Sequence, residues 1–219
     1  MRVLILLAGR DLIQSWRSAG LWLPVAFLLL VASLYPFAVG PDAALLSRTG
    51  GGMLWIAALL AALLPVDRLI APDREAGMLD QFALRGIGEE IVVLARLAAH
   101  WLGFGPPLML AVLPAAALLR LEAKQVAMLE TGLLVGTPAL AALGVLVATL
   151  TAGLRSSGAL AGLLALPLAV PILIFGAGTL GDGSGAAMKL LGASSLLLVA
   201  ITPFAGGAAI RAGRDQEGF

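Results

Sequence analysis

The sequence lacks the groups on which several kinds of chemistry depend. It contains no cysteine, which excludes disulfide bonds, thiolate catalysis and cysteine metal sites. It has only two lysines, Lys124 before a glutamine and Lys189 before a leucine. The nucleotide-binding pattern G-x-x-x-x-G-K-[ST] requires a lysine followed by serine or threonine, so the chain carries no P-loop. If nucleotide hydrolysis powers this protein, another chain must supply it.

Charged residues are also scarce. They make up 12% of the 219 residues, and the net charge of +1 is too small to indicate binding to nucleic acid. Apolar residues make up 60%, and the mean hydropathy is +1.02, a value that ordinary soluble domains do not approach. The composition predicts an integral membrane protein with a single transmembrane domain over residues 1–219 and no soluble domain.

Long apolar runs account for most of the chain. A helix needs about 20 apolar residues to cross a bilayer, and six stretches meet or approach that length. Prolines inside the runs predict helices that pack on one another, because each proline removes a backbone donor. Glycine pairs four residues apart, at positions 132 and 136 and at 158 and 162, either allow close helix approach or arise by chance. The predicted spans are residues 21–39, 50–70, 91–119, 126–154, 159–180 and 188–210.

The first 18 residues have a different pattern. Apolar side chains such as Ile5, Leu12 and Ile13 fall on one helical face, opposite Arg10 and Gln14. This pattern predicts an amphipathic interfacial helix over residues 1–18. A signal peptide is rejected, because the apolar core over residues 3–8 is too short.

The distribution of lysine and arginine predicts the orientation. With the N-terminus inside, ten of these residues lie on the cytoplasmic side and four on the far side. The excess places both termini in the cytoplasm. The far-side residues are Arg48, Arg120, Lys124 and Lys189, and the cytoplasmic residues are Arg2, Arg10, Arg17, Arg68, Arg74, Arg85, Arg96, Arg155, Arg211 and Arg214.

The most polar stretch, residues 67–90, lies between the second and third spans. Apolar residues over positions 78–84 have the spacing of a short helix with one apolar face. Pro72 can start that helix, and Gly86 and Gly88 can end it. We call residues 72–90 the polar segment and predict that it is a cytoplasmic handle for a soluble partner.

Isolated polar residues in the spans have two interpretations each. No aspartate or glutamate lies near a span centre, which argues against an intramembrane hydrolase. His100 is either a contact to a metal or heme iron or, as favoured here, a hydrogen-bonded residue near the interface with Trp101 as an anchor. Glu130 lies either on a substrate path or, as favoured, near the outer interface. Asp182 falls in a short loop. No cofactor site is assigned to this chain.

The polar segment resembles the cytoplasmic loop of ABC-2-type permeases. The stretch D-R-E-A-G-M-L-D-Q-F at residues 73–82 has the acidic, glycine, leucine, acidic and glutamine positions that recur there after the second span. In this sequence those positions are Glu75, Gly77, Leu79, Asp80 and Gln81. The resemblance implies an all-α, type V exporter-like fold with six spans and a cytoplasmic coupling helix.

Within that class the chain resembles the cytochrome c maturation protein B family (CcmB), the permease subunits of a heme-exporter ABC transporter. The resemblance covers nearly the whole chain and implies a non-catalytic subunit in the bacterial inner membrane. The similar pieces are L-Y-P-F-A-V-G-P at 34–41, W-I-A-A-L-L at 55–60, A-H-W at 99–101, G-T-P at 136–138, L-P-L-A-V-P-I-L-I-F at 166–175 and T-P-F-A at 202–205.

The resemblance also implies partners. These are a dimeric ATPase, CcmA, at the cytoplasmic face, the heme-handling protein CcmC, the small protein CcmD and the heme chaperone CcmE. ATP hydrolysis in that system accompanies release of heme-loaded CcmE. A symmetric ATPase dimer favours a second copy of this chain. The sequence has no tryptophan-rich heme motif, so contact with heme is implied through the partners only.

These implications give a hypothesis for docking. Met78, Leu79, Phe82 and Leu84 are expected to bury in a groove of the ATPase, so Leu79→Asp or Phe82→Asp should release it. Acidic and basic residues set the register at the rim, and Gly77 provides a turn or a close approach. The predicted interface comprises Asp73, Glu75, Gly77, Met78, Leu79, Asp80, Gln81, Phe82, Leu84 and Arg85.

Two other functions stay open from the sequence. One is an ABC-2 permease that exports a lipid, a drug or a polysaccharide. The other is a membrane scaffold or secondary transporter that needs no nucleotide. The latter predicts inverted repeats and a buried ion site, and the sequence displays neither.

Overall fold

A computed structural model describes residues 2–17, 22–152, 157–181 and 183–217. Its regular structure is helical, and no strand occurs in these ranges, which confirms the predicted all-α fold. Parts of the predictions at residues 1, 18, 21, 153–155 and 182 fall outside the described residues. The helices are α1 (Arg2–Arg17), α2 (Trp22–Val39), α3 (Ala43–Leu63), α4 (Ala71–Glu75), α5 (Met78–Leu84), α6 (Glu89–Leu118), α7 (Ala123–Thr151), α8 (Ser157–Gly178) and α9 (Ser184–Glu217).

Six of these helices are long and apolar enough to cross a membrane, as predicted. They are α2, α3 and α6 to α9. The prolines inside them leave the helices continuous: α6, for example, runs through Pro106, Pro107 and Pro114. The helix α7 lies at the centre, with 72% of its most apolar window buried, whereas α2 lies at the edge with 17%.

The boundaries of the second span differ most from the prediction. The sequence predicts residues 50–70, but α3 begins at Ala43 and ends at Leu63. Asp42 caps its start, because the carboxylate accepts hydrogen bonds from the backbone N–H of Ala44 (2.8 Å) and Leu45 (3.3 Å). After α3, Pro65 cannot donate to the preceding turn, and a short 3-10 turn follows over Val66–Arg68.

A buried tryptophan joins three of the spanning helices. Trp55 of α3 is fully buried and packs against glycines of α7 and α8. A Cβ atom at Gly136 would lie 2.6 Å from its ring, and one at Gly176 would lie 2.8 Å away. The spacing of Gly132 and Gly136 therefore admits an indole ring between helices. Gly162, in contrast, faces open space.

Candidate functional site at the polar segment

The polar segment contains two short helices where the sequence predicts one. Pro72 lies in the first turn of α4, and α5 covers Met78–Leu84 as predicted. Gly77 separates them with a φ of +65°, and Gly86 ends α5 with a φ of +69°. No atom lies within 4 Å of a Cβ at Gly77, so this glycine provides a turn and not a close approach.

The predicted apolar docking residues point in different directions. Phe82 is only 7% exposed, and the Arg10 guanidinium lies 5.7 Å from the centre of its ring. Met78 and Leu79 are half-buried, and Leu79 packs against the hydrophobic core. Leu84 is 88% exposed. Phe82 therefore already packs within its own chain. Leu84 is the apolar residue of α5 that is most accessible to a groove in a partner.

The predicted charged rim is also divided. Glu75, Asp80, Gln81 and Arg85 are exposed, as a docking surface requires. Asp73 is not, because its side chain is 15% exposed and paired with two arginines. Within this chain Asp73 holds α4 against the bundle, and its register role at a partner's rim stays a prediction.

Asp73 and three other charged side chains, from three helices in all, form a closed ring of ion pairs. Arg10 of α1 contacts its neighbour Asp11 at 2.9 Å and Asp73 of α4 at 2.9 Å. Arg96 of α6 contacts Asp11 at 3.1 Å and also pairs with Asp73. Each acid thus contacts both bases, and the ring is neutral. We call these four residues the ionic ring.

Burial determines the electrostatics of the ionic ring. The side chain of Asp11 is 6% exposed and that of Arg96 is 12% exposed. Burial raises the pKa of the Asp11 carboxyl above its ordinary value, while the guanidinium groups of Arg96 and Arg10 act to lower it. Removal of one member of such a buried pair costs about 3–5 kcal/mol, because it leaves an uncompensated charge. The ring therefore depends on all four residues.

The orientation of α1 explains how its charges reach the ring. Its large apolar residues Ile5, Leu6 and Ile13 are 62%, 73% and 62% exposed. Arg10 and Asp11 face the other way, toward α4 and α6. An outward apolar face is what a helix lying at the membrane surface presents to lipid, and the inward face binds the rest of the protein.

Two further contacts hold the same end of the bundle. Arg74, next to Asp73, donates a 2.6 Å hydrogen bond to the carbonyl of Ala152, which follows α7. Between α6 and α9, three ion pairs of 2.6–3.1 Å join Glu89 and Glu90 to Arg211 and Arg214. The polar segment is therefore fixed to the ends of several spans.

A cavity of about 250 Å³ lies beside the ionic ring, between α1, α4 and α6. Its lining includes the ring residues Asp11, Asp73 and Arg96, together with Arg68 and His100. Arg68 and the neighbouring Asp67 are exposed. The same lining combines charged side chains with apolar ones such as Leu69 and Phe104.

His100 packs within the bundle. It is 8% exposed, and its ring centre lies 4.8 Å from that of Phe104. Nε2 has no hydrogen-bond partner among the described residues, and a Cβ at Gly144 of α7 would lie 3.3 Å from it. Nε2 is buried in the bundle, and the hypothesis of contact with heme iron stays a prediction.

Two other residues singled out by the sequence lie in the bundle. The indole of Trp101 donates a 3.0 Å hydrogen bond to Thr137 of α7, so it binds a neighbouring helix where an interfacial anchor was expected. Glu130 of α7 is half-buried, and one carboxylate oxygen has no partner among the described residues. Neither interpretation of Glu130 is decided by this position.

Six apolar helices with one polar segment between the second and third define a multi-pass helical membrane protein. The CcmB protein family model matches residues 1–213. The chain belongs to the CcmB protein family, and the predicted resemblance is confirmed.

Curated relatives match over nearly their full lengths. Heme exporter protein B of Rhodobacter capsulatus is 46% identical over 211 residues, which cover 94% of this chain and 97% of the relative. The protein of the same name from Paracoccus denitrificans is 44% identical, with 92% and 95% covered. That of Bradyrhizobium diazoefficiens is 41% identical, with 98% and 100% covered.

Proposed function

We propose that this chain is the membrane-spanning permease subunit of a heme exporter in the bacterial inner membrane and that a separate ATPase drives it. The family and the names of the relatives support heme as the substrate of the complex. The lack of a P-loop supports an ATPase on another chain. In this proposal the chain catalyses no reaction itself.

The observation that carries the proposal is the outward face of the polar segment. Leu84 is 88% exposed and is surrounded along α5 by the exposed residues Asp80, Gln81 and Arg85. An apolar side chain inside a polar rim is the usual arrangement of a binding hot spot. Full burial of a leucine is worth about 1.5–3 kcal/mol, so Leu84 is the expected anchor, and Glu75 extends the rim.

The connections of the segment give a coupling mechanism. The segment follows α3 through a short turn and leads directly into α6 after Gly88. Closure of an ATPase dimer bound at Leu84 would displace α4 and α5 and thereby tilt α3 and α6. Both termini and the polar segment are then cytoplasmic, which agrees with the lysine and arginine distribution.

The remaining partners come from the family resemblance. The ATPase is CcmA, bound as a dimer to two copies of this chain, and CcmC, CcmD and the heme chaperone CcmE complete the assembly. ATP hydrolysis drives release of heme-loaded CcmE. The exposed apolar residues of the spans contact lipid or these membrane partners.

A matched pair of substitutions tests the docking surface. Leu84→Ser should reduce the ATPase recovered with the tagged chain at least about tenfold, since the lost burial exceeds 1.4 kcal/mol. Phe37, also 88% exposed, lies near the C-terminal end of α2, away from the polar segment. It is the control, and Phe37→Ser should leave recovery unchanged. Co-purification in mild detergent measures both.

Equal recovery of the ATPase with Leu84→Ser and with wild type would contradict this docking surface. Heme-stained c-type cytochromes in the same cells provide a second measurement. Suppose the tagged chain captures the ATPase normally, but cells from which the chain is deleted still make those cytochromes at the normal level. The assignment of heme as the substrate would then be wrong, whereas the docking surface would still be supported.

A further inference from the structure

We propose that α1 is a working part of the coupling apparatus, because the ionic ring transmits movement of the polar segment to α1 and α6 together. This inference rests on the proposed function and adds a role for a helix that the sequence assigns only to the membrane surface. The ring residues are positioning residues, since they act through the segment and not on a substrate.

The contacts of Arg10 are the first support. Its guanidinium contacts Asp73 of α4 at 2.9 Å and lies 5.7 Å from the centre of the Phe82 ring in α5. A single side chain of α1 therefore holds both short helices of the polar segment. A helix that served only to bind lipid would need neither contact.

The closure of the ring is the second support. Asp73 shares its carboxylate between Arg10 and Arg96, and Asp11 does the same. If α4 moves away from either arginine, it leaves a buried charge without its partner, which is costly. The three helices are therefore held in one register, and a pull on α4 also acts on α1 and α6.

The cavity is the third support. Close-packed interiors do not deform continuously, so a movement needs either space or a second packing arrangement. The cavity of about 250 Å³ lies between α1, α4 and α6, against three of the four ring residues. The turn after α3 lines the same cavity through Pro65 and Arg68. The cavity therefore provides space in which α1, α4 and α6 can shift together relative to that turn without a clash.

Neutral double variants test the ring. Arg10→Gln with Asp11→Asn keeps the Asp73–Arg96 pair and releases α1, whereas Arg10→Gln with Asp73→Asn keeps Asp11–Arg96 and releases α4. Each removes one positive and one negative charge. The control is Arg211→Gln with Glu90→Gln, which also removes one pair of charges but leaves Arg214 paired with Glu89.

We expect both ring variants to capture the ATPase at the wild-type level but to lower heme-stained c-type cytochromes at least about fivefold, the lower range of couplings between sites. The control should resemble wild type.

Full activity of the α1-releasing variant would overturn the inference, since α1 would then be an anchor alone. Loss of the ATPase in proportion to activity would also overturn it, because the ring would then only shape the docking surface. Failure of the wild type itself to capture an ATPase would contradict the proposed function.

A reversible cross-link tests the movement in a chain that has already folded, so misfolding of a variant cannot account for the result. Gln14 of α1 and Arg68 of the turn after α3 are exposed and both line the cavity, and the chain has no cysteine of its own. In a Gln14→Cys, Arg68→Cys variant, a short bis-thiosulfonate reagent should stop ATP hydrolysis by the complex in nanodiscs, and reductant should restore it. Each single cysteine variant treated with the reagent is the control. Full hydrolysis by the cross-linked chain would overturn the inference.

Discussion

Phe82 and Leu84 lie two positions apart in α5 and therefore about 200° apart around the helix axis. Only one of them can face a partner while the other faces the bundle. Phe82 packs under Arg10, and Leu84 points to solvent. For this reason an aspartate at Phe82 would damage the segment itself, and its effect on ATPase capture would not identify a docking residue.

At the residue scale, Gly77 offers a clean test of the break between α4 and α5. Its φ of +65° costs roughly 1–2 kcal/mol for a residue with a Cβ atom. Gly77→Ala should therefore destabilise the segment by about that amount, although its Cβ would meet open space. Increased proteolysis at residues 72–90 in nanodiscs would measure the effect.

The control for this substitution is Gly52 in α3. A Cβ there also meets no atom within 4 Å, and the backbone is helical. Alanine stabilises a helix interior by roughly 0.5–1 kcal/mol relative to glycine. Gly52→Ala should leave proteolysis of the segment unchanged, and equal effects at both positions would refute the requirement for a positive φ at Gly77.

The sequence predicts some of these residue positions and not others. The helix over Met78–Leu84 follows from apolar spacing and from the glycines that bound it. The ionic ring does not follow, because Asp73 lies 63 residues from Arg10 and 23 from Arg96. An isolated charge in a sequence carries no information about such distant partners, whereas local spacing does specify a helix.

At the scale of elements, Trp55 acts as a wedge between α3, α7 and α8. Adding even one methyl group to a core that is already close-packed typically destabilises the protein by about 1–3 kcal/mol. Because a Cβ at Gly136 would lie 2.6 Å from the Trp55 ring, Gly136→Ala should lower the thermal unfolding midpoint in detergent. Gly162→Ala in α8, where no atom lies within 4 Å, is the matched control and should have little effect.

A second substitution identifies the clash. Trp55→Phe removes the larger ring, so adding it to Gly136→Ala should recover part of the lost stability. The double-mutant cycle should give an interaction energy of about 0.5–3 kcal/mol between the two sites. Additive effects would show that Gly136→Ala acts through something other than the indole.

Element boundaries were predictable only where composition changes sharply. Five of the six spans begin or end within a few residues of the predicted positions, because apolar runs of sufficient length give way there to polar or glycine residues. The start of α3 was missed because Ser47, Arg48 and Thr49 interrupt the apolar pattern. Asp42 starts the helix before them, and Ser47 bonds with Gln125 of α7.

At the scale of the whole molecule, the orientation in the membrane is the prediction with the widest consequences. The cysteine-free chain permits labelling at single introduced positions. With an impermeant thiol reagent added to intact spheroplasts, Leu84→Cys should stay unlabelled and Lys124→Cys should react. Permeabilised membranes from cells that lack the ATPase should label both, because both side chains are exposed in the chain by itself.

Labelling of Leu84→Cys from outside intact cells would place the polar segment beyond the reach of a cytoplasmic ATPase. The proposed coupling would then be wrong, whereas the fold and the family would be unaffected. The matched position at Lys124, at the start of α7, distinguishes this result from a general leak of reagent.

The ionic ring also imposes an order on biogenesis. Arg10 and Asp11 leave the ribosome first, but Arg96 is synthesised only after a further 63 and then 23 residues. At about 5–20 residues per second, α1 waits several seconds for its counterions. During that interval two spans must insert while the first helix remains without its final contacts. A nascent chain that stalls before Arg96 leaves both aspartates without one of their two arginine partners.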